Sequence, residues 1–160
     1  MIYGLFAMAI GYFADSPAYT HFPPDKAMIK MAFAHGGQPK EPCRRLSPEE
    51  LAKLAPNMRR VVKCERERVP LYVELIMDDN MLYQASLPPT GLAKDGPSKA
   101  YERFAVPPGH HEVVVRLRDT PRSEGFDYEK KLRVELEPRE ILAIDFRAEM
   151  GGFFIYNRGR

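Results

Sequence analysis

Cys43 and Cys64 are the two cysteines of the chain, and they bracket a crowd of arginines in the stretch "EPCRRLSPEELAKLAPNMRRVVKCERER", residues 41–68. Cysteine can ligate zinc, attack as a thiolate, attach haem or close a disulfide. Spacing narrows that range. Twenty residues stand between the two, so neither a C-x-x-C redox or zinc signature nor the C-x-x-C-H of covalent haem is present. Zinc wants four ligands, and the nearest histidine, His35, lies outside the bracketed stretch. A catalytic thiolate wants a histidine base, and no pattern orients His35 toward Cys43. What remains depends on the compartment. In an exported chain the pair reads as a structural disulfide, and closing a loop of this length stabilises by about 3 kcal/mol in the chain-entropy model. In a cytosolic chain the thiols would stay reduced.

The charges around the pair are the second chemical feature. Between residues 43 and 68 stand Arg44, Arg45, Lys53, Arg59, Arg60, Lys63, Arg66 and Arg68, against Glu49, Glu50, Glu65 and Glu67. Eight minus four gives +4 for this segment, whereas all 160 residues net +2, so the remainder nets −2. The bland account is a solvated face with local ion pairs, each worth little. The functional account is a docking surface for an acidic protein partner or for anionic lipid headgroups, presented by Arg44, Arg45, Arg59, Arg60, Lys63, Arg66 and Arg68. Aromatic residues are not interleaved with these charges, which argues against single-stranded nucleic acid. The small total charge argues against a nucleic-acid partner in general.

Other titratable groups point to no reaction. His110 and His111 are adjacent, so on a strand they face opposite ways and cannot chelate together. After "PPG" they read as exposed turn residues. Asp78 and Asp79 fit a hairpin turn, where aspartate bonds its own backbone. Glu124, Asp127 and Glu129 could in principle serve as paired acids, but nothing fixes their separation. The chain lacks G-x-S-x-G, Walker A, dinucleotide-binding glycine and H-E-x-x-H motifs. No catalytic residue, metal or cofactor is expected, and the chain reads as non-enzymatic.

The elements that must position the Cys-bracketed segment are mostly strands. Fifteen prolines and period-two patterning favour short strands joined by stiff turns. "KAMIKMAFAH" alternates Ala27, Ile29, Met31 and Phe33 on one face. Residues 70–77 and the run to Leu87 read as a hairpin turned at Asp78-Asp79-Asn80. "YERFAV" and "EVVVRLRD" read as a second hairpin around "PPGHH". "DYEKKLRVEL" and "EILAIDFRAEM" read as a third, turned at Glu137-Pro138-Arg139. "GGFFIY" adds a last short strand. The expectation is an all-β fold, an antiparallel β-sandwich of about seven or eight strands. It carries one short helical insertion. Within the insertion Ser47 is a natural N-cap, Pro48 suits the first helical turn, and Glu50 completes a capping box. Leu46 and Leu51 stand as a hydrophobic staple, and Pro56 ends the helix.

The N-terminus is apolar: "MIYGLFAMAIGYFA" is uncharged from Met1 to Ala14. As a helix it is about 21 Å long, short of a ~30 Å hydrocarbon core. Three accounts compete: the end of a membrane anchor that starts upstream, a short signal or anchor used as written, and a buried core segment. The polar, proline-bearing stretch "DSPAYTHFPPDK" follows at once and favours an anchor with a stiff spacer. The domain plan is therefore an anchor-like segment at 1–14, a spacer at 15–25, and a β-sandwich at 26–160 with the insertion at 43–64.

"FAVPPGHHEVVVRLRD", Phe104 to Asp119, is similar to the hairpin of PEGA-type surface domains, which join a strand, a "VPPG"-like turn and a strand of alternating valines. "EPREILAIDF", Glu137 to Phe146, is similar to the last hairpin of such modules. The resemblance implies a small, non-catalytic Ig-like β-sandwich on an exported or anchored bacterial protein. The Cys-bracketed insertion stands outside that pattern. Together these features lead to an expected place and role. The place is the bacterial inner membrane, with the domain facing the periplasm. The role is to bind or support another envelope protein, as an accessory or assembly subunit of a membrane complex. A carbohydrate- or cell-wall-binding module is the alternative, and it needs an exposed row of aromatics, for which Tyr83, Tyr101, Phe126 and Tyr128 are candidates.

Overall fold

A computed structural model of the chain describes residues 2–15 and 22–158; positions 16–21 of the expected spacer lie outside the described residues. Helix α1 spans Ile2–Asp15. The strands follow: β1 (Ala27–His35), β2 (Arg44–Arg45), β3 (Val62–Lys63), β4 (Leu71–Met77), β5 (Asn80–Leu87), β6 (Ser98–Val106), β7 (Gly109–Arg118), β8 (Tyr128–Leu136), β9 (Ile141–Arg147) and β10 (Gly152–Arg158). A one-turn helix α2 (Pro48–Ala52) and a 3-10 turn (Pro56–Met58) stand between β2 and β3. The protein is mostly β, and its sheets are mainly antiparallel.

Eight strands form two four-stranded sheets, ordered β10-β9-β1-β6 and β5-β4-β7-β8. Period-two alternation explains their shared core. Ala27, Ile29, Met31 and Phe33 of β1 are all buried, as the pattern predicts. From the first sheet they meet Leu142, Ile144, Phe146 and Phe153; from the second come Val73, Leu75, Val113, Val115 and Leu117, in one continuous cluster. One end of that cluster is aromatic: Phe146 lies 4.9 Å from Tyr128 and 5.0 Å from Phe153, ring to ring.

The first hairpin forms as expected. β4 pairs with β5 through Asp78 and Asp79, both at positive φ, +48° and +64°. Two such residues match the right-handed twist of paired strands. The second and third expected hairpins do not form. β6 pairs with β1, while β7 pairs with β4 and β8 in the other sheet. Likewise β8 and β9 lie in different sheets. The reason is in the links. Proline fixes φ near −65°, so Pro107-Pro108 cannot supply the positive φ of a tight hairpin turn. The chain leaves one sheet and enters the other there. Glu137-Pro138-Arg139 also hands the chain across, by a different turn: Arg139 takes φ +66° and the Glu140 N–H donates to the Glu137 carbonyl. The hairpin at this end is β9–β10, turned at Gly151 and Gly152. A second departure is that β9 runs parallel to β1, Met28–Met31 beside Ile141–Ile144.

Helix α1 packs against nothing that hides it. Every described side chain from Tyr3 to Ala14 is exposed, which sets aside the buried-core account of this segment. Among the described residues no helix is long and apolar enough to cross a membrane by itself.

Candidate functional site

The segment between β1 and β4 is a finger built in layers. At its root Gly37–Lys40 lies against Glu67–Val69: the Lys40 N–H donates to the Glu67 carbonyl and the Val69 N–H to the Gln38 carbonyl. Glycine is required at position 37, because a Cβ there would overlap the Val69 carbonyl oxygen. Next comes the Cys43–Cys64 disulfide, which the sequence predicted. The ladder then continues for two pairs, with Arg44 opposite Lys63 and Arg45 opposite Val62. The tip is α2 and the 3-10 turn. Its capping box is complete: the Glu50 N–H donates to Ser47 Oγ at 3.2 Å, and the Ser47 N–H donates to Glu50 Oε2 at 3.0 Å.

The basic residues divide into two groups. Arg44 grips Glu50 with two bonds of 2.9 and 3.0 Å. That guanidinium, then the Ser47 N–H, lowers the Glu50 carboxyl to about 2. Arg66 pairs with Asp95. Arg68 is half-buried and donates to the carbonyls of Asp95 at 3.0 Å and Gly37 at 2.8 Å, fastening the finger's root to the domain. These three are committed to holding the structure. Arg45, Arg59, Arg60 and Lys63 are exposed and have no carboxylate partner among the described residues. Arg59 uses only its Nε, toward the Leu54 carbonyl. The predicted set of seven thus separates into three structural cations and four free ones. Only the Arg44–Glu50 pair is local; the partners of Arg66 and Arg68, Asp95 and Gly37, are distant along the chain.

The finger also makes a groove that sequence reasoning missed. A cavity of about 660 Å³ lies where it meets the domain. Leu46, Leu54, Met58 and Val62 supply apolar walls, and Arg60, Lys63, Arg66 and Arg68 supply charge, with Glu65 and Asp95 opposing. The signal was in the leucines that flank α2: Leu46 before it and Leu54 after it line the cavity, and neither belongs to the domain core.

Elsewhere several of the titratable groups are engaged within the fold. His110 and His111 lie within β7, not in a turn. His110 is exposed, while His111 holds Asp78 Oδ2 at 2.6 Å through Nδ1 and faces the Pro107 carbonyl at 3.0 Å through Nε2. This bond, then the Glu112 N–H, lowers the Asp78 carboxyl. His35 meets Asp119 at 2.8 Å beside the ring of Phe146. Burial pushes the Asp127 carboxyl up, but the Asp119 N–H, the Thr120 hydroxyl and Arg122 outweigh it and leave the group lowered. Among the described residues no three His, Cys, Asp or Glu side chains are grouped as a metal would require. Of the expected aromatic row only Tyr101 is exposed; Tyr83 and Tyr128 pack on the core, and Phe126 stacks on Tyr72.

No protein-family model and no curated protein matches the chain.

Proposed function

We propose that the chain is a non-catalytic, membrane-tethered β-sandwich of the bacterial inner membrane, facing the periplasm, that binds or supports another envelope protein as an accessory or assembly subunit of a membrane complex. The observation that carries this reading is the exposure of α1, whose Tyr3, Leu5, Phe6, Met8, Tyr12 and Phe13 are each at least 65% accessible. An apolar surface of this kind marks a membrane or protein contact. The helix carries no charge before Asp15, which favours insertion over a seat in the headgroup plane. The disulfide fits an oxidising compartment. The four free cations of the finger supply the docking surface.

Fractionation tests the tether. Full-length chain is expected to stay with membranes through an alkaline carbonate wash and to leave only with detergent. Recovery in the soluble fraction without detergent contradicts the reading.

One observation favours carbohydrate binding as a second reading. Tyr101 and Tyr156 lie on the outer face of the first sheet, flanking a shallow cavity over Ala32 and Ala143. Against it, Lys30 and Arg103 sit over the Tyr101 ring, at 5.2 and 5.7 Å, where a sugar would stack.

A further inference from the structure

The finger presents shape as well as charge. Its groove has apolar walls from Leu54, Met58 and Val62, and Met58 and Val62 remain 63% and 45% accessible. Four cations against two carboxylates leave the lining at +2. Arg66 and Arg68 are spent on Asp95 and Gly37, so the charge available to a ligand comes from Arg60 and Lys63, with Arg45 and Arg59 close by in sequence. We infer that this groove is a docking slot for an acidic amphipathic segment of a partner protein.

Concavity selects this occupant. A bilayer surface is broad and cannot enter a cleft between the finger and the domain, whereas side chains projecting from a peptide can. The cleft has a volume of about 660 Å³ and is open to solvent on one side, so such side chains can enter it. Large apolar side chains of the segment sit on Leu54, Met58 and Val62. Its carboxylates meet Arg60 and Lys63, which steer the encounter and fix its orientation. The disulfide and the Arg44–Glu50 clasp hold the walls before binding, so little ordering is required of the protein. The inference rests on the proposed function in one respect, that the partner is a protein.

The test uses the full chain in nanodiscs of neutral phosphatidylcholine, so that lipid covers α1. The probe is a fluorescein-labelled amphipathic peptide of leucine and glutamate; the control has lysine in place of glutamate. Anisotropy is expected to show the acidic peptide binding at least tenfold more tightly than the basic one. Met58→Glu and Arg60→Glu should each weaken it by tenfold or more, and Met150→Glu, exposed on the first sheet's margin, should not. Absence of binding up to about 1 mM, or affinity unmoved by the two groove variants, overturns the slot. Binding of phosphatidylglycerol vesicles in place of the peptide, lost in the same variants, overturns it in favour of lipid. These failures are separable from failure of the tethered-binding reading. In the first case carbonate-resistant membrane retention and cross-linking from the finger to an envelope protein survive Met58→Glu; in the second they are absent in the unaltered chain.

Discussion

Strands β4 and β7 hide Val73, Leu75, Val113 and Val115 completely, whereas between Gln38 and Arg68 not one residue is buried. The two regions are held by different forces. The sheets are held by burial of alternating apolar side chains in a common core, where the hydrophobic effect dominates. The finger has no such core. A covalent bond, a two-step ladder, a capping box and a bidentate ion pair hold it. A region of the first kind resists surface changes but not loss of volume. A region of the second kind tolerates changes of side chain and depends on a few named bonds. The difference suits a stable platform carrying a preformed, replaceable contact surface.

The comparison can be broken from either side, and the largest effect lies in the core. Leu75→Ala or Ile144→Ala should cost about 2–5 kcal/mol, read as a lower urea midpoint, because each leaves a cavity in a fully buried cluster. No truncation within the finger, such as Leu54→Ala, should approach that. Next comes the disulfide. Replacing Cys43 and Cys64 by serine should cost at most about 3 kcal/mol, through the unfolded chain. Amide exchange should rise across residues 43–64 while the β1 and β4 amides keep their protection. Equal loss of protection in both regions would show that the finger and the sheets are one cooperative unit.

The smallest effect is electrostatic and sharpens the boundary further. Glu50 titrates at about 2, below its ordinary value near 4.5, because Arg44 and the Ser47 N–H favour the carboxylate. A lowered folded value means that this contribution is complete above pH 4.5 and is lost as pH falls toward 2. Carboxyl-carbon NMR should therefore find Glu50 still ionised at pH 3.5, and Arg44→Gln should return it to the usual range. The α2 signals should change with that titration and the core signals should not. The Asp78 carboxyl, lowered by His111, provides an independent reporter on the platform.

How much of this was legible in the sequence follows from the range of the interactions. Period-two alternation placed β1 and the β4–β5 hairpin, and the Ser47–Glu50 spacing placed α2, because both are local. The pairing of β6 with β7 and of β8 with β9 was misread, since alternation says which face is buried and not which strand lies alongside. Pro107 and Pro108 held part of the missing information, since a two-residue hairpin turn needs positive φ where proline forbids it; the link at Pro138 gave no such sign, because Arg139 takes positive φ. The parallel β1–β9 pair has no local signature. Cys43 and Cys64 were legible as a disulfide, but the ladder beside them is two residues long and has no pattern to detect. The seven cations were visible as a cluster. Arg44 has its partner Glu50 six residues away, but the partners of Arg66 and Arg68, Asp95 and Gly37, are brought near only by the fold.

The central claim is that the free cations of the finger are a docking surface and not merely a solvated face. Its most direct test is the quadruple reversal of Arg45, Arg59, Arg60 and Lys63 to glutamate in the full chain, with a photo-cross-linker placed at Lys53 and membranes left intact. The account predicts at least a tenfold loss of the cross-linked envelope partner, with carbonate-resistant membrane retention and the urea midpoint unchanged. An undiminished cross-link to the same partner in the reversed chain contradicts it.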